Sequence, residues 1–187
     1  MSTSQTTSLD PSQAVVVSAG RRVDADDAAT PRFPVQNVPA VRAAVEQYLR
    51  QQRPVAIVAS AACGADLILL HAAQNDQIPR YILLPSPPEE FRKSSVTDRP
   101  GDWGTIYDDV LRDSSVEVHE VPSGQEGYLE VNNRLLDKAQ ALADELGTSV
   151  AALVIWNLES RGDDDVTAHF LREAGQRNLP LSEISTL

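Results

Sequence analysis

The sequence predicts an α/β fold: a single domain built on a mostly parallel sheet of five to six strands flanked by helices. Short β-branched runs alternate with stretches of helical period along the chain, the pattern left by strands joined through crossover helices. Three of the runs, Val15-Val16-Val17, Val55-Ala56-Ile57-Val58 and Ala151-Ala152-Leu153-Val154-Ile155, are apolar without polar alternation. Both faces of those strands must therefore be covered, which makes them central and parallel. The length of 187 residues suits one core, since a single core serves roughly 100 to 200 residues.

Residues 1 to 12, rich in Ser, Thr and Gln, carry too little apolar surface to offset the entropy of ordering, so a disordered tail is expected ahead of a domain spanning 13 to 187. The first strand is expected at Ala14 to Ala19. Val38, Val41, Val45, Tyr48 and Leu49 then recur at helical spacing and cover one sheet face. The second strand, Val55 to Ala59, leads into a helix over Gly64 to Ala73 whose Leu67, Ile68, Leu69, Leu70, Ala72 and Ala73 leave almost no polar stripe; this helix should be largely buried. Tyr81 to Leu84 is the third strand. Pro85 to Trp103 resists regular assignment, with four prolines, a short helical piece at Glu89 to Ser95 and a Gly101-Asp102-Trp103-Gly104 turn. Loops of that length are usually functional or mobile.

Val116 to Val121 alternates strictly, which turns one face to water and places the strand at an edge. A long helix follows from Glu126 to Leu146, with Leu135, Leu136, Ala139, Leu142, Ala143 and Leu146 inward and Gly147 as its stop. Val150 to Trp156 is the fifth strand. The last helix begins near Asp165, where Asp163-Asp164-Asp165 offers an N-cap, and puts Val166, Phe170 and Ala174 on one stripe. A short last strand is expected around Leu181 to Ile184.

Composition narrows the function. With 16 Lys and Arg against 27 Asp and Glu, the formal charge is −11, a poor basis for affinity to nucleic acid or anionic membrane, which scales with phosphate neutralisation. No apolar run approaches the roughly 20 residues of a membrane helix, and the first dozen residues do not resemble a signal peptide; a cytoplasmic protein is expected. The single cysteine, Cys63, has no partner for an internal disulfide, and three scattered histidines offer no metal-ligand spacing. No metal and no required cofactor are expected.

Ligands of open parallel sheets bind beyond the carboxyl ends of the strands, where connections diverge. After the first strand come Ser18-Ala19-Gly20-Arg21-Arg22-Val23-Asp24, and after the second Ser60-Ala61-Ala62-Cys63-Gly64-Ala65-Asp66. Gly64 permits close backbone approach, and the free N–H groups of the following helix make an anion site without a basic side chain; the same small residues equally serve close helix-sheet packing. Cys63, at that helix start, sits where its pKa would fall, or is simply a small residue in a tight turn. Arg21 and Arg22 suit bidentate phosphate contact, Asp24 an arginine or ribose hydroxyls, and a solvated charge cluster is the alternative for all three. Arg32 lies in a stiff loop, Pro31-Arg32-Phe33-Pro34, with Phe33 expected to anchor it. Trp103 and Trp156 suit purine stacking or core packing, His169 a phosphate or the surface. Asn132-Asn133-Arg134 is too polar for the core and is expected at the ligand rim.

In order and spacing, Ser18 to Asp24, Pro31 to Pro34, Ala62 to Asp66, the stretch from Leu84-Pro85 through Phe91 to Ser95-Val96, Asn132 to Arg134 and Thr167-Ala168-His169 resemble SLOG-superfamily domains, Rossmann-like modules related to the LOG phosphoribohydrolases and DprA proteins. The resemblance spans about Val15 to Phe170. It implies a nucleotide or nucleotide-derived ligand at the strand-end rim, with the Gly64 turn and the last helix's N-terminus near its phosphates. Enzymatic members share a Pro-Gly-Gly-x-Gly-Thr segment followed by a catalytic Glu; the corresponding stretch here, Trp156 to Thr167, has one glycine and three aspartates. The chain is therefore more similar to the sensor members.

The leading expectation is a sensor module for a nucleotide second messenger, with Gly20, Arg21, Arg22, Asp24, Arg32, Ser60, Cys63, Gly64, Asp66, Trp103, Arg134, Trp156, Thr167 and His169 as ligand-binding candidates. The first alternative is a nucleotide N-glycosidic hydrolase using Asp24, Asp66 or Glu159 as its carboxylate. The second is a protein-interaction scaffold, with the loop from Pro85 to Pro100 as its surface. A second copy of the chain or an effector protein would be the macromolecular partner.

Overall fold

The computed structural model describes residues 13–121, 125–162 and 164–187; the expected N-terminal tail and Asp163 lie outside the described residues. The strands are β1 (Val15–Gly20), β2 (Ala56–Ala59), β3 (Arg80–Leu84), β4 (Ser115–Val118), β5 (Val150–Trp156) and β6 (Leu181–Ser185). They form one sheet in the order β4-β3-β2-β1-β5-β6, with every neighbouring pair parallel. The helices are α1 (Val38–Gln52), α2 (Ala65–Asn75), α3 (Pro88–Phe91), α4 (Trp103–Arg112), α5 (Gln125–Leu146) and α6 (Val166–Gln176). This is the predicted α/β class, a Rossmann-like arrangement.

The apolar runs have the expected cause. Val16, Ile57, Ala59, Ile82, Leu84, Leu153 and Ile155 face the layer of α1, α2 and α4. Val15, Val17, Ala56, Val58, Leu83, Ala152, Val154 and Trp156 face α5 and α6. Because successive side chains point to opposite faces and both faces are covered, there is no position left for a polar alternate. Helix α2 lies between α1 and α4, so Leu67, Ile68, Leu69 and Leu70 are all fully buried.

Two expectations change. The Gly101 to Gly104 turn is the entry to a full helix, α4, whose Trp103, Tyr107 and Val110 are buried at helical spacing. Proline and glycine immediately upstream masked this period in the sequence. Within the same stretch, α3 runs into a π-helical turn, Arg92–Val96, that buries Ser95 and Val96. Strand β4 occupies the expected edge but ends at Val118, which is 41% exposed; the amides of His119 and Val121 continue the ladder to the carbonyls of Leu84 and Pro85.

The topology fixes where a ligand would bind. The chain steps outward from β1 to β4, then α5 carries it back across the other face to β5, on the far side of β1. With 22 residues, α5 is about 33 Å long at 1.5 Å per residue, ample for that return. Connections leaving β1 and β5 therefore part in opposite directions, and a gap opens at their carboxyl ends.

Candidate functional site

That gap is a crevice of about 720 Å³. Its floor is the end of β1, from Ser18 onward. One wall is the first turns of α5, with Tyr128, Val131, Asn132 and Leu135, and the other combines the loop after β1 with Phe91, Ser95 and Arg99 from the segment preceding α4. Five arginines (Arg21, Arg22, Arg32, Arg99, Arg161) and three aspartates (Asp24, Asp66, Asp164) line it, the reverse of the charge balance of the chain as a whole.

The structure brings Gly20, Arg21, Arg22, Asp24, Arg32, Ser60, Asp66 and Thr167 of the expected set to this crevice. Arg21 is there in an unexpected role. Its Nη1 and Nη2 donate to the two carboxylate oxygens of Asp165, each at 2.6 Å, its Nε to Asn157 Oδ1 at 2.9 Å, and Nη2 also to the Glu159 carbonyl at 2.8 Å. The guanidinium lies 5.6 Å from the Trp156 ring centroid. Arg21 is thus consumed as a buried clamp between β1 and the loop after β5, not as the phosphate ligand expected of it.

Asp165 also caps α6, its Oδ1 accepting from the amides of Thr167 and Ala168 and its Oδ2 from the amide of Arg161. Burial works to raise its pKa, but the Arg21 hydrogen bonds and these amides outweigh it and hold the carboxyl well below the usual range. The amides at the start of α6 that were expected near a phosphate are in this way answered by Asp165.

The turn into α2 is likewise spoken for. The Cys63 amide donates to the Ser95 carbonyl and the Ala65 amide to the Arg21 carbonyl, each at 3.0 Å. The Ala62 amide donates to Asp66 Oδ2 at 3.2 Å. Gly64 has φ +96°, and a Cβ there would fall 2.7 Å from both Arg21 O and Val23 N; its glycine serves backbone packing against the loop after β1 in place of a ligand's approach. Gly20 is pressed the same way, 2.4 Å separating a Cβ built on it from Ala65 Cβ. Cys63 is sealed, with 0% exposure, and burial pushes its thiol pKa up, the Arg22 charge offsetting only part of that rise. This is the reverse of the lowering that a helix start suggested.

Other expected residues lie elsewhere. Trp103 is buried and its Nε1 donates to the Pro100 carbonyl at 2.8 Å. Trp156 packs under Arg21 with its Nε1 on Glu183 Oε1. Arg134 is exposed and pairs with Glu130 one turn earlier. His169 stands between Asn132 and Glu173, outside the crevice lining. The Glu159 side chain is exposed, and what it contributes is its carbonyl to Arg21.

Among the carboxylates, Asp24 locks the proline-bounded loop, its Oδ2 accepting from the amides of Arg32 and Phe33 at 2.9 Å each, and Phe33 is buried as expected. Asp66 is the chemically distinct group. It is only 8% exposed, and burial drives its pKa from 3.8 up to about 7 against the Ala62 amide and the Arg22 charge, which both favour ionisation.

Sequence reasoning missed Ser18 as a polar group, Arg99 and Tyr128. Ser18 is 1% exposed and its Oγ has no protein partner; the buried Nε atoms of Arg22 and Arg99 have none either. Buried polar atoms are nearly always satisfied, so three such atoms on residues lining one crevice form its most informative feature. Arg22 is otherwise ion-paired with Asp98, and Asn132, expected at the rim, lines the crevice while its Nδ2 donates to the Val166 carbonyl at 2.8 Å.

Among the described residues no group of three or more His, Cys, Asp or Glu converges as a metal site, and no helix is long and apolar enough to cross a membrane. No family model matches the sequence, and a search of curated proteins finds no significant relative.

Proposed function

We propose that the crevice binds a nucleotide or nucleotide-derived second messenger and that the protein acts as its sensor. The observation that carries this reading is the concentration of unanswered buried donors, Ser18 Oγ, Arg22 Nε and Arg99 Nε, on a crevice rich in arginine within an acidic chain. Guanidinium groups match phosphate oxygens in geometry and charge. Opposite them, Tyr128, Val131 and Leu135 offer an apolar wall suited to the flat face of a base. Phosphate capture is thus assigned to arginine side chains and not to helix-end amides, which Asp165 and neighbouring carbonyls already occupy.

The ordered motifs that resemble SLOG-superfamily domains support the same reading. So does the departure at Trp156 to Thr167: where the hydrolases carry a glycine-rich cradle, this chain spends Asn157, Glu159 and Asp165 on holding Arg21. Calorimetry with adenosine- and guanosine-derived mono-, di- and cyclic nucleotides tests the proposal. Binding weakened at least about 10-fold by Arg99→Ala, the loss of one charge-assisted hydrogen bond, supports it. Silence across the panel overturns it.

One observation favours a second reading, N-glycosidic hydrolysis: Asp66 is a crevice carboxyl titrating near neutrality, the property of a general acid-base group. Release of free base from a nucleoside monophosphate, abolished in Asp66→Asn, would promote it over the sensor reading.

A further inference from the structure

Arginine selects for phosphate but does not distinguish one phosphorylated metabolite from another. The crevice also holds two groups of different preference. Ser18, on the central strand β1, is a lining residue of the crevice, is buried and has an Oγ with no protein partner. Asp66, on the first turn of α2, lines the same crevice; its Oδ2 takes the Ala62 amide, and no other protein donor among the described residues meets the carboxyl. A carboxyl group meets hydroxyl groups in either protonation state, accepting from them when ionised and donating as well as accepting when protonated, and a serine hydroxyl likewise both donates and accepts. Together they suit a neutral polyol, whose hydroxyls can both donate and accept.

We infer that Ser18 and Asp66 form the subsite for the ribose of a ribonucleotide, so that the crevice takes ligands with a free 2′-hydroxyl and discriminates against their 2′-deoxy counterparts. The inference rests on the nucleotide reading above and adds the sugar to it. Three of the crevice arginines, Arg32, Arg99 and Arg161, come from loops, whereas Ser18 sits on the sheet; Arg22 is the cation whose charge reaches Asp66, so a sugar held by Ser18 and Asp66 would still have arginine beside it for its phosphate. A 2′-deoxy ligand leaves a hydroxyl or carboxyl oxygen at the floor without its partner. Sites built to bond a hydroxyl reject analogues that lack it far more strongly than apolar pockets reject a missing methylene.

The test is competition calorimetry on the full chain with AMP, ADP, GMP and GDP, the 2′-deoxy form of each, and inorganic pyrophosphate as a probe of the arginines alone. The expected result is that the best ribonucleotide binds at least about 10-fold more tightly than its deoxy form, the cost of one unsatisfied buried polar group. In Asp66→Asn, whose amide oxygen can keep the Ala62 bond, that ratio should shrink while pyrophosphate affinity is retained. Equal affinity of ribo and deoxy forms for the wild-type protein overturns the sugar subsite and leaves the nucleotide reading standing. Binding of pyrophosphate alone, or of nothing, overturns the sugar subsite, and the nucleotide reading with it when the cyclic nucleotides are silent too. The wild-type comparison decides the matter even if a variant fails to fold.

Discussion

Replacing Asp66 by Asn isolates the energetic cost of keeping an ionisable group in the crevice wall. The carboxyl is 8% exposed and its folded pKa stands at about 7 against 3.8. A raised folded pKa means that the unfolded chain loses this proton first. The group's contribution is complete below pH 3.8 and is lost as pH rises to about 7. A difference of roughly 3 units at 1.36 kcal/mol each amounts to about 4 kcal/mol. The amide of Asn does not titrate and keeps an acceptor for the Ala62 N–H, so the variant escapes this loss. Every other titrating group is common to both proteins and cancels in the difference. Urea unfolding followed by circular dichroism from pH 4 to pH 8 measures it. With a slope of about 2 kcal/mol per molar urea, the variant's midpoint should exceed the wild type's by about 2 M more at pH 8 than at pH 4. A difference that stays flat across this range would refute the argument that Asp66 is protonated and desolvated in the folded protein.

The clamp is tested by Arg21→Leu, which leaves the buried Asp165 carboxylate with only the half-exposed Arg161 guanidinium, 3.7 Å away, as its cation and should cost about 3 kcal/mol in denaturant unfolding at pH 7. Because Asp165 is held below its ordinary range, that contribution is present above about pH 4 and fades on acidification, so wild type and variant should converge in acid. Gly64→Ala places a Cβ 2.7 Å from two backbone atoms at φ +96° and should cost more than about 2 kcal/mol, whereas Gly147→Ala, with φ +64° and nothing within 4 Å, should cost only about 1 kcal/mol of left-handed strain; paired thermal melts compare them. Tyr128→Ala, at a position 40% exposed on the crevice wall, should leave stability within about 0.5 kcal/mol while weakening the proposed nucleotide binding in calorimetry.

How much of this was legible in the sequence depends on the range of the interaction. The strands read clearly because burial on both faces writes itself as unbroken apolar runs, as in Ala152 to Ile155. Helix α4 was hidden because Pro100 and Gly101 punctuate its approach, although Trp103, Tyr107 and Val110 carry a helical period. The rule that ligands gather beyond strand ends located Arg22, Asp24, Ser60, Asp66 and Thr167 from their neighbours in sequence alone. The same rule misread Arg21, since the partners that consume its guanidinium, Asn157 and Asp165, lie 136 and 144 residues away. Arg99 had no local signature: it reaches the crevice only because the segment before α4 folds over the ends of the strands.

The misreading of Arg21 explains the electrostatics of the site. An arginine after the first strand and a helix N-terminus after the fifth are each an anion attractor alone. Here both are neutralised by one internal anion, Asp165, which accepts from Arg21 and from the α6 amides at once. The helix end and Arg21 then contribute rigidity, tying β1 to the loop after β5 across the topological switch. Attraction for an anion falls chiefly to Arg32 and Arg99, on loops lining the crevice, Arg32 held from behind by the Asp24 lock; Arg22 and Arg161 line it too, but each already has a carboxylate, Asp98 for Arg22 and Asp165, at 3.7 Å, for Arg161. These charges are nearer to solvent than Arg21, so their pull is screened by salt over about 8 Å at physiological ionic strength, while the clamp, buried on both sides, is not. Ligand affinity and fold stability should therefore respond differently to salt, the first falling and the second holding, because one internal carboxylate has separated the charges that bind from the charges that build.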